Sequence, residues 1–228
     1  MAAQEHPGVP PDPAKFNEAV KAFRKRVPMS NADWDQLAAD ERQRGFTVGA
    51  VAQADLVQDV FDALDRAIDA GSSFDDFKAE IGPKLADEWG GEDAPRVETI
   101  FRTNVLGAYS AGRQQILDAP AVKEARPYRR FDAIEDDRID EDCDEFDGTV
   151  LPADDPWWAS HTPLIHPNCR CQINGLTPDE AEEEGVTEEP SNAEAEDGFG
   201  KPYSDDDWDP DLSRFSPELR EVLADRLR

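Results

Sequence analysis

From Phe16 to Ile116 the apolar residues recur at helical spacing, and beyond Pro120 they do not. That change of period constrains the chain more than any single motif, because a helical front and an irregular back must bury apolar surface in different ways. In the front part, Asp12 and Pro13 predict a helix start, with an acidic cap and proline at the first helical position. Phe16, Ala19, Val20 and Phe23 follow on one face, and Pro28 stops the helix. Ser30 predicts the cap of a second helix that shows Trp34, Leu37 and Ala38 on one face as far as Gly45. A third carries the stripe Leu56, Val60, Ala63, Leu64 and Ala67 and ends at Gly71, and a fourth starts at Ser73. Residues 12–92 therefore read as a helical domain, behind a proline-rich segment 1–11 expected to be disordered.

From Pro95 a longer helix runs through "RVETIFRTNVLGAYSAGRQQIL", with Val97, Ile100, Phe101, Val105, Ala108 and Ile116 as its buried side. The segments "PYRRFDAI", "DGTVLP" and "CRCQING" then predict three short strands. The fold class is α+β: a helical N-terminal domain, then a module over residues 93–176 in which the long helix packs on a small irregular antiparallel sheet. Such a module buries little per residue and wants a staple. Residues 177–215 open with "TPDEAEEEGVTEEPSNAEAEDG", acidic and poor in aromatics, which reads as a linker. Residues 216–228 form a last helix with the stripe Leu219, Val222, Leu223 and Leu227. Beyond a linker that stripe has little of its own chain to cover, so it is expected to dock on a partner.

Charge bears on the setting. The 52 acidic and 24 basic residues leave a net charge of -28, and Thr177–Arg228 accounts for only 18 of the acids. Repulsion of this size opposes compaction in dilute buffer, but in about 1 M salt the Debye length falls to about 3 Å and the penalty fades. A halophilic source is the physical reading, against the plainer one of an acidic tail. No run approaches the roughly 18 apolar residues of a membrane span, and the N-terminus lacks a cationic start with an apolar run. The expectation is a protein made in the cytoplasm, with no membrane partner. Three cysteines cannot build a paired disulfide framework, which favours thiols or metal ligation.

Two of those cysteines stand in "SHTPLIHPNCRCQING". Cys169 and Cys171 can reach one ion from an extended backbone, and Cys143 and His166 complete a four-ligand set of the kind structural zinc prefers. In the plainer reading the cysteines are small buried hydrophobes and His166 starts a Pro-Asn turn. His161, His166 and the many carboxylates also admit a zinc-dependent hydrolase, although no H-E-x-x-H or Ser/His/Asp order is present. Trp157 and Trp158 read as core and rim of the sheet.

Taken in order, "FTVGAVAQADLVQDVFDALDRAIDAGSSFDDFK", "RVETIFRTNVLGAYSAGRQQ", "PYRRFDAIEDDRIDEDCDEFDGTVLPADDPWW" and "HPNCRC" resemble the phage Mu F-like head morphogenesis family of minor capsid proteins. The resemblance covers about Phe16 to Leu176. It implies a virion-associated structural protein of a tailed virus, assembled in the host cytoplasm, that acts near the portal through contacts with the portal protein, the major capsid protein or both. The metal-bound pattern of that family places two ligand positions at Asp140 and Cys143. One structural zinc is then expected on Cys143, Cys169 and Cys171, with His166 or the Asp140 carboxylate as fourth ligand. The resemblance also makes Arg102 a signature position, read as an inward lock on Asp132 or Asp136, or else as a solvated helical charge. Relatives fused to toxin domains make a toxin-like transferase module the alternative beside the hydrolase. The basic patches "KAFRKR" and "RPYRR" allow local, non-specific contact with packaged DNA, which the net charge opposes at long range.

Overall fold

The computed structural model describes residues 16–38, 41–204 and 208–226. The expected helix start at Asp12 and Pro13, the segment 1–11 and Leu227 lie outside the described residues. The front part is built from α1 (Asn17–Arg24), α2 (Asn31–Trp34), α3 (Ala54–Ala70) and α4 (Phe74–Trp89), with two short strands, β1 (Val27–Pro28) and β2 (Gly45–Phe46), paired in parallel. The expected stripe of α3 is buried, joined by Val57, Phe61 and Ile68, and Gly71 closes the helix in the left-handed conformation at φ 70°. Ser73 and Asp76 form a reciprocal capping box on α4. The second helix differs from expectation. It is a single turn that ends at Trp34, and the chain passes through a 3-10 turn into β2, which pairs with β1 where a helix as far as Gly45 would have run.

The long helix, α5 (Ala94–Asp118), serves both halves of the molecule. Its N-terminal half packs into the core of α1, α3 and α4 through Val97, Ile100, Phe101, Val105 and Ala108, whereas Ile116 is exposed. At Gly112 an added Cβ would lie 2.5 Å from the Ala19 backbone nitrogen, so α1 crosses α5 backbone to backbone and only glycine fits.

Past α6 (Pro120–Ala125), the back part holds β3 (Tyr128–Asp132), α7 (Glu141–Phe146), β4 (Val150–Pro152) and β5 (Gln172–Leu176). β3 lies at the centre of a three-stranded antiparallel sheet, with β4 and β5 on its two sides. Phe131, Phe146, Leu151, Trp157, Trp158, Ile165 and Ile173 fill its core together with all three cysteines. The expected α+β class holds.

Two expectations for the C-terminal region need correction. The described residues of 177–215 are not a detached linker: after α8 (Pro178–Glu184) the chain lies along the module as a strap as far as Gly200. Its backbone joins the module at Thr187 N–H to Val150 O (2.9 Å), Glu196 N–H to Ile165 O (2.9 Å) and Gly200 N–H to Leu164 O (2.8 Å). From Ser191 to Glu196 burial alternates, with Ser191, Ala193 and Ala195 turned inward and Asn192, Glu194 and Glu196 outward. The acids face water while small residues and peptide groups bind the module.

The last helix, α9 (Pro217–Arg226), is not left for a partner either. Leu219 and Leu223 are buried with Phe215 against Val27, Met29 and Leu37, an apolar patch that β1 and α2 alone would leave open to water. Val222, on the other face, is exposed. The buried Asp33 carboxylate fastens the join, accepting from the Ser216 N–H at 2.7 Å and from the Ser216 hydroxyl at 2.9 Å.

Candidate metal centre

The "HPNC" segment folds as a tight turn in which the Cys169 N–H donates to His166 O at 3.2 Å. Pro167 supplies the fixed φ of the second position, and Asn168 takes the left-handed φ of 62° that the third position requires. Two threonines of α5 hold this turn. The Asn168 N–H donates to Thr103 Oγ1 at 3.0 Å, and its side-chain amide donates to Thr99 Oγ1 at 3.0 Å. Cys169 and Cys171 follow in irregular backbone just before β5, not within it. Cys143 comes from α7 on the other side.

All three cysteines are buried, and their sulfurs lie within 4.8 Å of one another. Cys143 Sγ is 3.8 Å from Cys169 Sγ and 3.1 Å from Cys171 Sγ. His166 reaches the cluster through Nε2, 3.1 Å from Cys143 Sγ. Its Nδ1 lies 2.7 Å from Pro167 O, the backbone contact that orients a metal-binding imidazole and leaves Nε2 free to ligate. Zinc–sulfur bonds of about 2.3 Å in a tetrahedron place sulfurs about 3.8 Å apart, so the three cysteines suit one structural zinc once Cys143 and Cys171 part, and His166 completes the set only if its ring shifts from Cys143 towards the other two sulfurs. Asp140 is spent elsewhere: its carboxylate caps α7 by accepting from the Asp142 N–H at 3.1 Å.

The thiols share their protons. Hydrogen bonds from Cys143 and Cys171 pull the Cys169 thiol below the ordinary cysteine value, and the corresponding bonds push Cys143 and Cys171 up. A bound dication would favour the ionised form of all three.

Arg102 does not form the expected lock. It pairs with Glu98 at 2.6 Å, one turn back on α5, and both side chains are well exposed. Asp136 instead receives both arms of the Arg170 guanidinium at 2.6 and 2.7 Å, and this fork holds its carboxyl well below the usual carboxylate range. Asp132 accepts from Gln172 at 2.8 Å. Helix and sheet are tied by Arg113, whose guanidinium reaches Asn174 Oδ1 on β5 at 3.0 Å, and by the buried Arg129 of β3, which pairs with Asp118 at the end of α5. His161 lies apart from the sulfurs, stacked on Trp157 with ring centroids 4.2 Å apart. Its nitrogens meet Trp157 O and Ala193 O at 2.8 and 2.9 Å, which ties the strap down.

The residues that sequence reasoning missed are Thr99, Thr103, Arg113 and Arg170. The threonines did carry a signal, since they stand four apart and so share one face of α5.

Fold and centre together define a small α+β module closed around a thiol cluster beneath a long helix. The family described as Phage Mu protein F like protein matches residues 58–174, slightly more than half of the chain, and the chain belongs to that family. It is 27% identical over 186 residues to the putative capsid assembly protein F of Escherichia phage Mu, covering 74% of this chain and 42% of the relative. It is also 27% identical over 179 residues to the Mu-like prophage FluMu F protein of Haemophilus influenzae, covering 72% of this chain and 42% of that one. The chain thus matches well under half the length of these curated relatives. No solved structure matches it.

Proposed function

We propose that this chain is a virion-associated head-assembly protein of a tailed virus, structural rather than enzymatic. The observation that carries this reading is the family match, which spans α5, the sheet and the thiol cluster together. A relative named for capsid assembly supports the same role. The partners are the portal protein, the major capsid protein or both, with packaged DNA touched locally at most. Contact with them uses a surface other than the Leu219 and Leu223 stripe, which the chain itself covers. One zinc on Cys143, Cys169, Cys171 and His166 holds the module. The geometry lends nothing to a hydrolase or transferase, because His161 is engaged by two backbone carbonyls. The net charge of -28 supports a halophilic host.

Quantitative analysis of purified particles tests the role. The expected outcome is this chain at a fixed ratio to portal and major capsid proteins, and its absence from heads and head precursors refutes the reading. The host setting has its own test: the thermal midpoint should climb steeply between dilute and molar salt, and a flat profile rejects it.

A further inference from the structure

A cleft of about 320 Å³ opens where the β1–β2 pair, the middle of α5 and the strap meet. Acids make up 52 of the 228 residues, yet no Asp or Glu is among the described residues that line it. Its charged lining is Arg26, Arg42 and Lys201. Each reaches the cleft from a different part of the fold.

Arg26 donates to Asn104 Oδ1 at 3.1 Å, and its guanidinium lies over Gly107 of α5, where an added Cβ would sit 3.6 Å from Nη2. A mid-helix glycine costs about 1 kcal/mol against alanine. Here a methyl would be tolerated against the guanidinium, but a larger side chain would enter the cleft beside it. Arg42 stacks on Trp34 at 4.5 Å. Its Nη1 donates to Asp197, whose side chain is 90% exposed, while its Nε is buried with no partner. Lys201 forms no ion pair among the described residues.

Three cations line one cleft, Arg42 among them also paired with the exposed Asp197, and a buried N–H left without an acceptor costs about 1–3 kcal/mol. An anion in the cleft would complement these cations and offer that N–H an acceptor. The remaining N–H groups of two arginines and a lysine point charge suit a compact oxyanion carrying more than one negative charge better than a single carboxylate. We infer that this cleft is a binding site for a phosphate group, either free phosphate or the phosphate of a nucleotide, with Arg26, Arg42 and Lys201 as its cationic contacts.

The test is a titration of the full chain with inorganic phosphate, with ionic strength held constant by potassium chloride and heat and thermal midpoint as readouts. Saturable binding of one equivalent is expected, and no saturable heat overturns the inference. Lys201→Glu should weaken binding at least tenfold while leaving the fold intact by circular dichroism, because Lys201 supports nothing else described here. Unchanged affinity in that variant also overturns the site. Gly107→Leu, which pushes a side chain into the cleft, should abolish binding; undiminished binding in a folded Gly107→Leu chain counts against the cleft. A 5′-mononucleotide separates the two sources. Tighter binding than phosphate assigns a nucleotide with its base against the aromatic lining residues Phe199 and Tyr203, and equal or weaker binding assigns the free oxyanion.

Discussion

The helical front and the stapled back of this molecule reach stability by different means. In the front, α1, α3, α4 and the first half of α5 bury a continuous apolar cluster, including Phe23, Phe46 and Phe61 packed ring on ring. In the back, three strands of three to five residues enclose a core in which cysteines stand beside aromatic rings. There the Asp136–Arg170 fork, the Arg113–Asn174 tie and the strap do what long helices do in the front. A region with long amphipathic helices is stable through area alone. One with short strands depends on a few particular contacts, so it should fail at single points.

Metal removal should separate the two regions most. Chelation, or Cys169→Ala, should melt the back module while the helical signal of α1, α3 and α4 persists, since binding energy at a structural zinc is folding energy. Elemental analysis should find about one zinc per chain before treatment. A metal-free chain that unfolds in one cooperative step would break the comparison.

Gly112→Ala tests the seam between the regions. The new methyl would collide with the Ala19 backbone on a crossing that cannot yield locally, so a loss of about 2–4 kcal/mol is expected in denaturant unfolding. A smaller loss would mean that α1 can slide on α5. Leu223→Ala, in the patch that joins α9 to the front, should cost about 2–4 kcal/mol and expose the C-terminal helix to protease. Unchanged protection would show that Asp33 and Ser216 suffice to hold it.

The smallest effects concern charge. Because the Asp136 pKa is depressed in the folded chain, its stabilising contribution is complete above the ordinary carboxylate range and is lost as pH falls below about 3.8. Asp136→Asn should therefore destabilise the module at neutral pH and flatten its acid limb, which acid titration followed by near-ultraviolet dichroism can read. Arg102→Ala, which removes only an exposed pair with Glu98, should change stability by less than about 1 kcal/mol. A larger loss would restore Arg102 as a lock.

Much of this was legible before any coordinates. The stripe of α3, the Ser73 cap, the three strands and the turn that sets Cys169 beside His166 follow from local rules that neighbours along the chain satisfy by themselves, whereas Cys143 joins them from α7 across 26 residues. The strap was partly legible as well. Its alternation of small and acidic residues from Ser191 to Glu196 has the period of an extended segment against a surface, but acidity masked the signal.

What the sequence determined by itself is the period of each segment, the turn that brings Cys169 towards His166 and the excess of negative charge, since each depends on residues close in the chain or on their sum. Tertiary structure alone decided which carboxylate meets which guanidinium: Asp136 took Arg170 across 34 residues while Arg102 turned to Glu98 within its own helix. It also decided that α9 covers Val27, Met29 and Leu37 instead of leaving for a partner. In both cases several partners of equal chemistry were available, and the choice rests on the distances that packing sets, which no local pattern encodes.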